Sequence, residues 1–443
     1  MDLIRKKKKR SGLVSNTDLV LFAFATAFFS RILDYVGAPS LINFFHFIVI
    51  SFTCIYTLVN SQVKDPKVVK IIWNLVTGLF IFFTVIIISA IVNQAGAINA
   101  VLDFALLAEP FLLIVTMLSL SLSKEKFIKF RRWLTTFLFS HLFIAYAQKY
   151  IFRVDTWEKL HLEPADRIQG VFFLSGAGHV VGASVSLSFA CYYFISAKKT
   201  PLWLRIIVVL AALWHVILSD AKQVILAFMV AWVILFLLKL NNPLLSIQYI
   251  LAGSIFGYAF WWCTQNLEAF RAYNTWSDPE LYGPDGDATM LKTAAFRVIP
   301  NHYDSILNWF FGLGPGHTIG RLGGWMVHQY KNLLTPLGVT IHQASFDVWA
   351  EVSKYFIGSR SSLFSPLFSW AGIWGDLGLV GLATYLYLAW LVWHYLCIED
   401  ISKFLLITVF VFGLIFSQME EPGYMLSIAA IVGLHWQEKQ FSH

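Results

Sequence analysis

Twelve apolar stretches, at roughly 17–36, 39–60, 68–92, 98–122, 127–147, 170–195, 202–218, 222–239, 245–265, 366–396, 401–417 and 424–436, constrain this chain more than anything else in it. As a helix, about 20 apolar residues match the hydrocarbon thickness of a bilayer. The tenth stretch is long and the last two are short, so the expected count is eleven to thirteen. Only 13% of the residues are charged, against about 25% in soluble domains, so the polar surface needed for solubility is missing. The sequence predicts an all-α polytopic integral membrane protein of about 12 transmembrane helices with one large extracytoplasmic loop. Its expected parts are a basic cytoplasmic N-terminus (1–16), a nine-span bundle (17–266), the loop (267–365) and a three-span bundle (366–443).

The placement of basic residues predicts the orientation. With the N-terminus inside, inner segments hold 20 Lys and Arg, including Arg5 to Arg10, Lys124 to Arg132 and Lys198 to Arg205. The short outer loops hold five, namely Lys149, Arg153, Lys159, Arg167 and Lys222. Inner loops carry the excess in membrane proteins. Both termini are therefore expected in the cytoplasm of a bacterial cell, and the 267–365 segment outside its cytoplasmic (inner) membrane. The net charge of +7 is concentrated in such segments, above all in the basic stub before the first span, which suits anionic lipid and not nucleic acid. That stub lacks a clear cleavage site and leads into further spans, so it reads as an orientation signal and not as a signal peptide.

Several chemistries find no footing. Cys54, Cys191, Cys263 and Cys397 are scattered through apolar stretches with neither disulfide nor metal spacing, and read as small hydrophobic residues. There is no phosphate-cradling Walker motif and no strand-linked dinucleotide fingerprint, so neither an ATP-driven pump nor a nucleotide cofactor is expected. No cofactor and no metal site is predicted.

Polar residues gather at a few places. Asp166-Arg167-Ile168-Gln169-Gly170 precedes the small-residue patch Gly176-Ala177-Gly178-His179 and Gly182, which permits close approach of a helix or a ligand. Arg167 reads either as an interfacial anchor paired with Asp166 or as a site cation. Ser219-Asp220-Ala221-Lys222-Gln223 is a short turn in which Asp220 either neutralises Lys222 or leaves it to hold a diphosphate or sugar-acid oxygen. The long segment mixes Arg297, Arg321 and other charges with Trp276, Trp309, Trp325, Trp349 and several tyrosines. That mixture suits either a carbohydrate or an interfacial belt.

Within that segment, Gly312-Leu313-Gly314-Pro315-Gly316 is a tight turn. Its bare amides, at Gly314 and Gly316 above all, are able to form an anion-binding nest, although a glycine turn is more often only a bend. His317, His328 and His342 follow, each either a solvated loop histidine or a base. Asp376 stands inside the apolar tenth stretch, where an acid is costly and a functional candidate by default. Asp34, Asp103 and Glu109 are further acids in or beside spans.

These patches, in this order around one large loop, resemble the O-antigen ligase and polymerase (Wzy and WaaL-like) superfamily of bacterial surface polysaccharide assembly. Arg167-Ile168-Gln169-Gly170 is similar to that family's arginine-glycine start of a mid-chain span. Asp220-Ala221-Lys222 stands where the family has serine-arginine, and Phe311 to Gly316 resembles its loop signature. Gly375-Asp376-Leu377-Gly378-Leu379-Val380-Gly381 resembles its glutamate-leucine-glycine segment, with aspartate for glutamate. The ligases' histidine-asparagine pair is missing from Ser361 to Leu367, which favours a polymerase-like or divergent member.

The resemblance implies a GT-C-like fold and a lipid-linked-oligosaccharide-dependent glycosyltransferase. Such an enzyme joins undecaprenyl-diphosphate-linked units at the outer face of the cytoplasmic membrane, with membrane lipids, a chain-length regulator and export proteins as further partners. In that expectation Arg167 and Lys222, with Arg297 or Arg321, stabilise the leaving diphosphate, and His317, His342 or Asp376 takes the acceptor proton. Gly314, Gly316 and Asp220 complete the substrate contacts. The alternatives are ligase-type transfer to a final acceptor, a flippase for the same glycans, and a structural assembly partner.

Overall fold

The computed structural model describes residues 15–120, 122–160, 162–240, 243–360 and 362–440, and among these every regular element is helical. The basic stub Arg5 to Arg10 and Ser361 lie outside the described residues. Twelve helices have thirteen or more residues. We label them α1 (Asn16–Phe28), α2 (Ile42–Val59), α3 (Pro66–Val92), α4 (Ala97–Leu118), α5 (Lys124–Tyr150), α6 (Gly178–Ser196), α7 (Leu202–Leu218), α8 (Lys222–Leu237), α9 (Pro243–Asn266), α10 (Ser369–Tyr395), α11 (Asp400–Phe412) and α12 (Pro422–Gln440).

Each falls on one of the twelve apolar stretches. Five of them, α2, α3, α4, α6 and α10, are long and apolar enough to cross a membrane. By those five the chain is an all-helical membrane protein.

Helix ends follow local chemistry. The Asp65 carboxylate accepts from the Lys67 amide with Pro66 in the first turn of α3, and the Ser123 hydroxyl caps α5 through Lys126. The core is built where α10 packs along α3, α12 along α4, α2 along α1 and α4, and α7 along α6. Phe82, Phe111 and Tyr385 interlock edge-to-face between α3, α4 and α10, all three buried.

The 267–365 segment folds into short helices, including Arg271–Trp276, Asp287–Val298, Ile306–Phe311 and Gln343–Val352. The glycine turn joins this segment to the long helices. α10 is broken at Gly378, whose φ of 67° and ψ of −165° are not helical, and the break frees the carbonyls of Gly375 and Asp376. The Leu313 and Gly314 amides take those carbonyls at 2.8 and 3.0 Å, and the Ser89 hydroxyl of α3 donates to the Asp376 carbonyl at 2.9 Å.

Gly378→Ala is therefore expected to destabilise the protein by at least about 2 kcal/mol, because left-handed backbone disfavours a side chain. Its new Cβ would also lie 2.4 Å from the Phe310 carbonyl carbon. Gly257→Ala, where nothing lies within 4 Å, is the control expected to leave thermal unfolding in detergent almost unchanged.

Candidate functional site

A cavity of about 700 Å³ lies between the 267–365 segment and the ends of α6 and α8. Its polar wall is Glu163, Asp166, His179, Asp220, Lys222 and Gln223. Opposite stand Trp276, Asp287, Trp349 and Phe356 from the long segment, with Ser365, Pro366 and Phe416 as a further wall.

Neighbouring chain holds each polar group in place. Asp166 sits in the turn Ala165–Arg167, whose carbonyls are tied down: the Gln169 amide donates to the Asp166 carbonyl at 2.6 Å. Gln169 is held in turn by Gln148, which accepts from the backbone of residues 169 and 170 at 2.9 and 2.7 Å. His179 enters on the first turn of α6, its Nε2 3.6 Å from the Asp166 carboxylate. The close approach expected of the small-residue patch is present, since a Cβ on Gly178 would lie 2.4 Å from the Phe172 carbonyl oxygen.

Lys222 opens α8 after a turn in which Asp220 has left-handed backbone with φ 51°. The Lys222 ammonium pairs with the Asp220 carboxylate. The Tyr273 hydroxyl donates to the Lys222 carbonyl at 2.6 Å, which fastens the long segment to this corner. Burial, with Asp220 and Glu163 close by, pushes the Asp166 carboxyl up to about 6, while Lys222 pulls it down. An acid–imidazole pair beside an ammonium, walled by indole rings, is equipped to take a proton from a hydroxyl and to meet a developing negative charge.

Of the residues singled out in the sequence, Lys222 and Asp220 line this cavity, and their expected pairing is present. Trp276 and Trp349 line it too, whereas the expected arginines lie elsewhere. Arg167 is buried and turned away: its guanidinium donates to the Leu162 and Asp155 carbonyls at 2.8 and 2.7 Å. Arg297 is exposed and bonds the Met290 carbonyl and Glu351. Arg321 is buried against Glu421 and the Ser175 hydroxyl, stacked over Trp325 at 4.7 Å. These three guanidiniums do not converge with Lys222, because each finds oxygen acceptors nearer to hand.

The expected bases are also engaged by their own surroundings. His317 uses one ring nitrogen at the Leu313 carbonyl (2.8 Å) and the other at the Thr340 hydroxyl (2.7 Å), and burial holds its pKa below the usual imidazole range. His342 caps the helix Gln343–Val352 by accepting from the Ala344 amide at 3.1 Å. Its ring stacks on His317 at 5.6 Å, and burial lowers its pKa too.

Asp376 is likewise engaged by its own surroundings. One carboxylate oxygen accepts from the Gly316 amide at 3.0 Å, and the other from the Thr318 amide and hydroxyl at 2.7 and 2.6 Å. Of the turn's bare amides, that of Gly316 goes to the Asp376 carboxyl, while those of Leu313 and Gly314 go to the backbone carbonyls of Gly375 and Asp376. The sequence held both halves of this contact, 60 residues apart, with nothing to pair them.

Sequence reasoning missed Asp166 and His179 as partners, and Glu163 and Asp287 as walls. Asp166 was in view only as the neutraliser of Arg167, and His179 only as the end of a glycine patch.

Compared with known proteins, the chain matches no family model and no curated protein.

Proposed function

We propose that this protein is a polysaccharide polymerase of the kind its motifs resemble, joining lipid-linked oligosaccharide units at the outer face of a bacterial cytoplasmic membrane. The observation that carries the reading is the cavity itself. It brings a carboxylate–imidazole pair, an ammonium and two tryptophans together beside the ends of membrane-type helices. In this reading the twelve long helices are twelve spans, both termini are cytoplasmic, and the 267–365 segment is the outer cover of the site. Donors there must arrive already activated, because no nucleotide pool exists outside the membrane.

The reaction follows from the wall. The acceptor hydroxyl gives its proton to Asp166, oriented by His179, as its oxygen bonds to the donor's anomeric carbon. The bond from that carbon to the undecaprenyl diphosphate breaks, and the lipid diphosphate leaves with the electron pair. Lys222 offsets the charge that develops there. A second feature supports a lipid-linked donor: an apolar cavity of about 410 Å³ between α4, α8, α10, α11 and α12, lined by Trp370, Trp390, Trp393 and Phe410.

The acid limb of activity should fall with an apparent pKa near 6, the value to which burial and its acidic neighbours push Asp166. Asp220→Asn removes a neighbour that raises it and will move the limb to lower pH. A pH–rate profile of chain elongation in proteoliposomes checks both, and a limb unmoved in Asp220→Asn would remove Asp166 from the base role.

A lipid-linked glycan flippase is the second reading, favoured by buried ionisable groups on or beside the long helices. These are the His46–Glu109 pair at 2.6 Å and the Arg321–Glu421 pair. Sizing lipid-linked glycans from cells lacking the protein separates the two. Single units reachable from outside, with long polymer missing, are expected of a polymerase; units trapped on the cytoplasmic face would make it a flippase. Long polymer still on its lipid carrier would point to ligase-type transfer.

A further inference from the structure

The proposed site is more acidic than glycosyl transfer requires. Glu163, Asp166, Asp220 and Asp287 line the cavity against one fixed cation, Lys222, and Asp220 already holds that cation. Asp166 meets only an imidazole, and among the described residues neither Glu163 nor Asp287 is in an ion pair. The whole chain has the opposite sign, with a net charge of +7, so the negative wall is a local feature and not the general surface. Asp166 registers this potential, held up to about 6 by burial and by Asp220 and Glu163 together, despite Lys222. Trp276 and Trp349 add aromatic faces to the same walls, which suit sugar rings and attract a cation laid on them. At about 700 Å³ the space is in the range of small-molecule sites.

We propose that this cavity selects glycan segments bearing free amino groups, protonated amino sugars, over neutral acetylated sugars and over uronic acids. The inference rests on the reading that the cavity takes a glycan, and adds to it which glycan. An ammonium on the sugar offsets Glu163 and Asp287, and in doing so lowers the repulsion that the lipid diphosphate would otherwise meet from the same wall. An N-acetyl group lacks that charge, and a carboxylate adds to the repulsion. Affinity for the amino sugar will fall as pH drops through about 6, where Asp166 takes up a proton and the wall loses one negative charge. The groups facing Asp166 in this titration are Glu163, Asp220, Lys222 and His179.

The test uses the full-length protein in nanodiscs of uncharged phosphatidylcholine, read by tryptophan fluorescence. The ligands are a glucosamine tetramer, its N-acetylated counterpart and a galacturonic acid tetramer. The glucosamine tetramer is expected to bind about ten-fold more tightly than the acetylated one, with galacturonate weakest. The preference will shrink at high salt in the wild-type protein, a measurement that needs no variant. It will vanish in Glu163→Gln/Asp287→Asn. Equal affinity for the first two ligands, or an unchanged preference in the double variant, overturns the charge inference and leaves a glycan site standing. No binding by any of the three, in a preparation that stays monodisperse, overturns the glycan reading along with it.

Discussion

Lys222→Met will lower the rate of glycan transfer by about 10²–10³-fold, as removal of a preorganised charge at a leaving group does. Asp166→Asn will lower it by about 10²–10⁴-fold, the usual contribution of a positioned base. Neither change should touch folding strongly. The Lys222 pair with Asp220 stands at the end of α8, and Asp166 lies in a turn held by its backbone through Gln169. Chain length of membrane-extracted polymer, measured with each variant expressed to wild-type level, is the readout. Normal-length polymer from the stable double variant would sink the proposed mechanism. Arg167→Met is predicted to behave differently, lowering thermal stability by about 2 kcal/mol, because its charged hydrogen bonds hold two loop carbonyls.

Asp376→Ala will cost about 3–5 kcal/mol of stability, the penalty for leaving several buried hydrogen-bond donors without their acceptor. The carboxylate accepts three hydrogen bonds from Gly316 and Thr318, and removing it leaves those donors buried without a partner. The glycine turn would keep only its backbone bonds to the Gly375 and Asp376 carbonyls, and the segment that roofs the proposed site would loosen with it. Thermal unfolding of purified protein shows the loss directly. A base at Asp376 predicts the opposite pattern, a variant that folds at the wild-type temperature and does not elongate glycans. Asp376→Asn separates the two further. It keeps the volume while replacing one acceptor with a donor that faces an N–H, so it should fall between wild type and Asp376→Ala in stability.

The contrast between Arg167 and Lys222 shows what could be read from the chain alone. Both were basic residues at the ends of apolar stretches, with the same two readings open. Which one faces the cavity depends on competing oxygen acceptors: the Leu162 and Asp155 carbonyls capture Arg167, whereas Lys222 keeps only Asp220 beside the space. Distances of a few ångströms decide that, and spacing along a chain does not carry them. The same holds for Asp166 and His179, thirteen residues apart in the chain and 3.6 Å apart in space because the fold packs α6 against the turn at 165–167.

The sequence by itself determined the helical segments, since an apolar run about as long as a bilayer is thick has few other ways to satisfy its backbone. It also marked Gly312 as part of a tight turn, because positive φ is open to few other residues, but not the break at Gly378. The tertiary structure alone decided that the glycine turn's amides are taken up by Asp376 and the Gly375 carbonyl, and that most of the expected cations serve carbonyls or buried acids. Apolar burial acts along the chain's average composition, while hydrogen bonds and ion pairs go to whichever partner the fold brings within about 3 Å.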